Sequence, residues 1–346
     1  MKRSLFDRLA TWDNFLALLA LATLAFALLR VPNFATGFNI SQAIAGVSER
    51  ALIVLPMVLL IIAREIDLSV ASILALTSVL FGIMVEAGWP LPAAIALTLA
   101  GGALCGAFNG LLVTRLGLPS LVVTLGTMAM YRGIGYIILG SGSVNDFPDS
   151  VTDFGIDTLG DSPIPWTILP FLALAPVFVF VLQASATGRR IYALGGNPSV
   201  ALYAGVRTAR IRFGLFVVSG LVCAVAGLVF TARLANARAN NALGLELDVI
   251  TIALLGGISV FGGRGRLTGV FWALLLIATL RNVLGLSQIG GDAQGTVIGL
   301  LLILSLLLSN LIQSALAAIH ARRSIPETGD HDGGGPPAPS TASPAE

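Results

Sequence analysis

The chain has 346 residues, of which 56% are hydrophobic and 11% charged, with 39 glycines and 16 prolines. Soluble domains carry about 25% charged residues, so this composition, with a mean hydropathy of +0.91, excludes a soluble globular enzyme and requires apolar surface that faces lipid. A formal charge of +2 is too small to argue for nucleic acid, and no nucleic-acid partner is expected. Cys105 and Cys223 lie in apolar runs where a thiol packs as a small residue, so neither a disulfide nor a metal site is expected.

Apolar stretches follow one another at residues 14–30, 44–63, 69–87, 91–113, 119–139, 166–183, 213–232, 249–263, 268–286 and 295–319. At about 20 residues per crossing, these read as ten transmembrane helices of an all-α polytopic protein. The first follows Lys2, Arg3 and Arg8 as a signal peptide would. The residues after it, VPNFATGFN, offer no A-x-A cleavage site, so it is expected to be an uncleaved first span. With the N-terminus inside, fourteen of the twenty cations collect on the cytoplasmic face, among them Arg64, Arg115, Arg189, Arg190, Arg207 and Arg210. The connection 140–165 then lies outside, with Asp146, Asp149, Asp153, Asp157 and Asp161 and no Lys or Arg, as the positive-inside rule requires. The expected organisation is a cytoplasmic N-terminus over 1–13, a membrane domain over 14–319 and a tail over 320–346. Within the membrane domain, 184–212 is a cytoplasmic loop. The tail is rich in Pro, Gly and Ser, cannot bury a core and is expected to be disordered on the cytoplasmic side.

On the fourth span Gly102, Gly106 and Gly110 recur every four residues, the spacing that lets two helix backbones approach closely in lipid. They are assigned to helix packing. Arg132 and Arg281 fall inside spans, each about 20 Å along its helix at 1.5 Å per residue. Two readings stand: snorkelling to the outer interface, or lining of a hydrated path. The span over 249–263 is short for a crossing and is interrupted by Gly256, Gly257, Gly262 and Gly263. Such segments occur where backbone lines a cavity, so Gly256 and Gly257 are candidates for a pathway or gate, against the alternative of a bent packing helix.

The loop Ala186–Arg212 is basic and carries helix punctuation. Asn197 suits an N-cap, Pro198 the first helical position and Gly205 the C-terminal closure after Ala201 and Ala204. This predicts a helix of about two turns between two spans, as an element that couples to a groove on a cytoplasmic partner or as a solvated loop.

Energy coupling narrows the choices. The only lysine is Lys2, so the P-loop pattern G-x-x-x-x-G-K-[ST] is missing and the chain does not bind ATP in that way. His320 and His331 lie at or in the tail, and Glu65, Asp67, Glu86, Asp248 and Asp292 fall at span ends. A proton- or sodium-driven carrier ordinarily needs such groups within the bilayer.

Three segments, REIDLSVASILAL (Arg64–Leu76), ATGRRIYALGGNPSVALYAGV (Ala186–Val206) and DVITIALLGGISVFGGRGRLTG (Asp248–Gly269), resemble the permease subunits of bacterial carbohydrate ABC importers of the ribose, rhamnose and autoinducer-2 type. The likeness covers about residues 10–315 and departs from the family at Arg64-Glu65, where glycines are more frequent. The resemblance implies a multi-pass inner-membrane pore subunit that is itself no enzyme and holds no cofactor, ATP being used by a cytoplasmic ABC ATPase. It further implies a second permease, identical or homologous, an extracytoplasmic sugar-binding protein and a rhamnose-like or other small monosaccharide as cargo. NPSVALYAGV and IGGDAQGTVIGLLLILSLLLSN look most similar to the rhamnose and autoinducer-2 branch, so autoinducer-2-type furanosyl import is the alternative. An ion-coupled carrier is the rival class. Gly195, Gly196, Asn197, Pro198, Ala201 and Gly205 correspond to the ATPase contact, and Asp67 to the acidic residue at the entry of the third span.

Overall fold

The computed structural model describes residues 12–291, 293–301, 303, 304 and 307. Among them are thirteen α-helices up to Leu286, further helical residues from 291 onward and no strands, the nearest being isolated bridges between Val144 and Ala237 and between Thr158 and Pro165. Two compact units divide the chain at Ile303 and Leu304, and nearly all described residues belong to the first.

The centre is α3 (Ser48–Ile62), where every residue except Arg50 is buried. A helix that is apolar all round has no face for lipid and must be wrapped by others. Here α11 (Thr208–Leu234), α12 (Leu245–Leu255) and α8 (Leu169–Val179) pack on it. Pro56 sits inside α3, a position tolerated at membrane depth because neighbouring helices surround the interrupted backbone. Preceding α3 are α1 (Trp12–Arg30), which packs on α13 (Leu267–Leu286), and α2 (Gly37–Ala45), whose N-cap Thr36 accepts from Asn39 N.

The tightest helix pair is α5 (Leu91–Arg115) with α11. A Cβ on Gly102 would stand 2.5 Å from both Ala224 Cβ and Gly220 O, one on Gly106 would collide with Phe216 O, and one on Gly110 would press on Phe213. The stripe read from the sequence therefore faces α11, and Gly220 returns the contact from the other side. α4 (Val70–Glu86) packs against α5, α11 and α6 (Ser120–Leu139).

At 27 residues and 1.5 Å per residue, α11 is about 40 Å long, and it separates the two loops that the sequence sets apart. Its start adjoins α9 (Ala186–Gly196) and α10 (Pro198–Tyr203). Its end meets α7 (Asp149–Ile156), inside 140–165, where Gly155 lies on the backbone of Ala232 and Arg233.

Several expectations need correction. Among the described residues seven helices are long and apolar enough to cross a bilayer, and ten are not found there. Val70–Glu86 is a shorter apolar helix of 17 residues, and 249–263 holds helix only to Leu255. Past Leu255, Gly256 ends the helix and Gly257, Gly262, Gly263 and Gly265 have positive φ, so the stretch is a broken helix that finishes in a glycine-rich turn, as its short length suggested. The tenth stretch, 295–319, lies mostly outside the described residues, and the segment 1–11 and the tail 320–346 lie wholly outside them. α2 and α7 were not legible as helices in the apolar pattern, because both are short and interrupt polar or mixed sequence.

Overpacking α5 against α11 tests this core. Gly106→Leu is expected to cost at least about 1–3 kcal/mol and to lower the midpoint of thermal unfolding in detergent, followed by size-exclusion chromatography. Gly126→Leu is the control, since a Cβ there meets nothing within 4 Å. Equal midpoints for the two variants would show that the α5–α11 contact is looser than described.

Candidate functional site

Three chain segments far apart in sequence meet at the end of α3. Gly263 N donates to Ile62 O at 2.9 Å. A Cβ on Gly195 would collide with that same Ile62 oxygen and stand 2.5 Å from Gly263 N. A Cβ on Gly263 would lie 2.7 Å from Gly196 Cα, so here the backbones themselves pack and no side chain fits between them. Arg64 closes the knot: its Nε donates to Gly195 O at 2.6 Å and its Nη2 to Gly196 O at 2.8 Å. Arg64 has a φ of +65°, a conformation that costs about 1–2 kcal/mol for a residue with a side chain. In return its guanidinium meets the last carbonyls of α9, where a cation is favoured by the helix dipole. Tyr192 OH donates to Gly265 O at 2.7 Å, a second tie between α9 and the same turn.

Beyond Gly196 the predicted short helix is present as α10. Asn197 Oδ1 accepts from Ser199 N and Val200 N, both at 3.1 Å, the N-cap role read from the sequence. At the other end Gly205 N donates to Leu202 O and Val206 N to Ala201 O, both at 3.0 Å, with Gly205 at φ +79°. These two bonds form a Schellman motif, which needs a residue free to adopt positive φ at that point. Ala201 is buried, whereas Val200, Leu202 and Tyr203 are exposed, Tyr203 at 91%. Beside the knot, on the turn after α12, Phe261 is also exposed, at 85%. Sequence reasoning did not single out Phe261, and Arg64 entered it only as one of the cytoplasmic cations and as a departure from a family pattern. A lone aromatic between glycines was the available signal.

The remaining candidates lie elsewhere and are engaged. Asp67 is fully buried in the turn between α3 and α4. Ser69 N and Oγ donate to its Oδ1 at 3.0 and 2.6 Å, and Ser219 Oγ to its Oδ2 at 3.0 Å. Asn109 Nδ2 donates to Ser69 Oγ at 2.8 Å and Tyr131 OH to Asn109 Oδ1 at 3.1 Å, so the network ties this turn to α5, α6 and α11. Gly256 lies against the Val270 backbone on α13, and Gly257 against the Trp12 ring, whose Nε1 donates to Leu255 O at 2.8 Å. Arg132 Nη1 donates to Ala239 O and Asn241 O at 2.9 and 2.6 Å, holding the loop between α11 and α12. Arg281 Nη2 reaches both oxygens of Asp248, at 2.6 and 2.7 Å, and Arg50 Nε donates to Asp248 Oδ2 at 2.9 Å.

One carboxylate went unweighed in the sequence: Glu49 is fully buried in the first turn of α3, paired with Arg233 at 2.7 Å. Ser48-Glu49-Arg50 stands inside the apolar stretch 44–63 and was the visible signal. A charge at that depth persists because an opposite charge meets it.

Residues 39–306 match the family model for the branched-chain amino acid transport system / permease component. The D-allose transport system permease protein AlsC of Escherichia coli K12 is 37% identical over 306 residues, 87% of this chain and 93% of the relative. The autoinducer 2 import system permease protein LsrD of Klebsiella pneumoniae is 34% identical over 258 residues, 73% of this chain and 77% of the relative. LsrC, of the same named system in an Enterobacter species, is 34% identical over 303 residues, 87% of each. No solved structure matches.

The knot makes a prediction that neighbouring glycines separate. Gly195→Ala is expected to destabilise by about 1–3 kcal/mol, read as a lower unfolding midpoint in detergent. Gly196→Ala should be silent, since a Cβ there meets nothing within 4 Å. Indistinguishable variants would argue against backbone packing at Gly195.

Proposed function

The chain belongs to the family of branched-chain amino acid transport system permease components and is a multi-pass carbohydrate ABC importer permease of the bacterial inner membrane; on that premise we propose that α10 is its coupling element, through which an ATPase drives the pore. The observation that carries this is the construction of α10. It is capped at both ends, turns Ala201 inward and Tyr203 outward, and reaches the central helix α3 through the Gly195–Arg64 knot. A helix so short holds its shape only by its caps, and one so firmly tied moves with the bundle. A push on Tyr203 or Leu202 is therefore delivered to α3 as a shift of a packed element.

In this reading the chain is one half of a pore and not an enzyme. It pairs with a second permease, identical or homologous, with a cytoplasmic ATPase that supplies the energy and with an extracytoplasmic sugar-binding protein that delivers cargo. The α9–α10 region is cytoplasmic and the α7 region outside, with both termini inside, since arginines crowd the first and aspartates the second. The ten-span topology, with a last span over 295–319, belongs to the same proposal. Asp67, Arg132, Arg281, Gly256 and Gly257 then act by positioning the elements that move, because each is packed or bonded in the described state. The cargo is a small monosaccharide, whether rhamnose-like or of the hexose kind named for the E. coli relative. Autoinducer-2-type furanosyl import is the second reading, favoured by the names of the other two relatives. An ion-coupled carrier is disfavoured by the family.

Ala201→Pro removes the donor that bonds Asn197 O at 3.0 Å and costs about 3 kcal/mol within a helix. In proteoliposomes with ATPase and binding protein, it should abolish ATP-driven uptake while the unfolding midpoint of the purified permease changes little. Ser199→Ala should transport normally. Unchanged uptake by the Ala201→Pro variant would remove the coupling role.

Sidedness is tested with single cysteines in a background lacking Cys105 and Cys223. Ser150 and Ser199 are both exposed. Ser150→Cys should react with an impermeant maleimide in intact cells, and Ser199→Cys only after permeabilisation. The reverse order would invert the topology.

A further inference from the structure

Beside α10 lies a cavity of about 940 Å³, at the upper end of the roughly 300–1,000 Å³ range of small-ligand sites. Its wall is apolar, formed by Phe178, Ile191 and Leu215 among others from α8, α9 and α11. Its lining also includes three arginines, Arg190, Arg207 and Arg210, all exposed. Among the described residues none of the three makes an ion pair or a side-chain hydrogen bond, whereas Arg50, Arg212, Arg233 and Arg281 each face a carboxylate. Two further lining residues, Val177 and Val218, are at once part of the wall and exposed, at 53% and 37%.

We propose that this cavity binds an anionic phospholipid, its phosphate on the guanidinium groups of Arg190, Arg207 and Arg210 and an acyl chain on the apolar wall. The argument is one of complementarity. A soluble anion would use the arginines and leave the wall wet, and a purely apolar ligand would leave three cations unanswered. A phospholipid answers both, entering from the bilayer past Val177 and Val218. Guanidinium forks match phosphate oxygens two at a time, and basic pockets between membrane helices suit acidic head groups. Zwitterionic lipid brings a cation of its own toward three unneutralised arginines and fits less well. Gly205 and Val206, the turn that closes α10, line the same cavity, so a bound lipid braces that turn from the membrane side. The inference goes beyond the importer reading and does not require it.

The test uses the full-length chain purified in neutral detergent, titrated with phosphatidylglycerol or with phosphatidylcholine of identical chains and read by native mass spectrometry. Phosphatidylglycerol should be retained at about tenfold lower concentration. Replacing all three arginines, as R190Q, R207Q and R210Q together, should erase that difference with an unchanged elution profile and unfolding midpoint. Gly214 also lines the cavity, and a Cβ there meets nothing within 4 Å, so Gly214→Leu fills the space without a clash and should weaken phosphatidylglycerol retention alone. Millimolar inorganic phosphate should not displace the lipid. Equal retention of the two lipids would overturn the proposal. So would displacement by phosphate together with a silent Gly214→Leu, which would mark a simple anion site. If the triple variant lost binding of the ATPase while keeping phosphatidylglycerol, the arginines would belong to a protein contact instead, and the proposal would fall.

Discussion

The carbonyl of Ile62 accepts the amide of Gly263 and leaves no room for a side chain on Gly195. At this point the last turn of the central helix, the end of α9 and the glycine-rich turn after α12 become one rigid body. Lipid offers no hydrophobic reward for helix association, so cohesion has to come from close contact and internal hydrogen bonds. Backbone-to-backbone packing supplies both. Arg64 adds the charge that the end of α9 calls for, and its positive φ is tolerated because two hydrogen bonds fix its head group. Every other feature of the candidate site hangs from this knot: α10 follows directly, and the exposed Phe261 sits on the adjoining turn.

The same economy explains the polar interior. Glu49 meets Arg233, Asp248 meets Arg50 and Arg281, and Asp67 is held by Ser69 and Ser219. Each carboxylate has at least one partner on another element, Ser219 in the case of Asp67, so pairing fixes the order in which helices pack. Removing one member of such a pair strands a charge and costs about 3–5 kcal/mol, whereas the intact pair contributes much less than that figure. These groups therefore specify arrangement more than they add stability. Arg132 bonds two carbonyls of the α11–α12 loop, doing for that loop what Arg64 does for α9.

α10 shows how local signals translate when they agree. Asn197, Pro198 and Gly205 each have one strong local preference, and cap, first turn and Schellman closure all form from them without help from distant residues. Where local signals are mixed, the outcome differs. The residues 249–263 are apolar enough for a continuous helix, but Gly256 ends it and the positive φ of Gly257, Gly262 and Gly263 makes the remainder a turn, a choice that apolar periodicity alone does not decide.

The sequence by itself determined the class of molecule, most of the helices, the glycine face of α5 and the caps of α10, because each depends on composition or on residues within a few positions of one another. It also carried the family in three separated motifs. That these motifs, at Arg64, at Gly195-Gly196 and at Gly262-Gly263, are one site was decided only in the folded chain, since the contacts of Arg64 with Gly195 and Gly196 alone span 131 and 132 residues. The pairing of Arg281 with Asp248, the burial of Glu49 and the gathering of three arginines around one apolar cavity were decided there as well. The reason is physical: a charge or a glycine has the same local preferences wherever it stands, and only the helices packed around it determine what it meets.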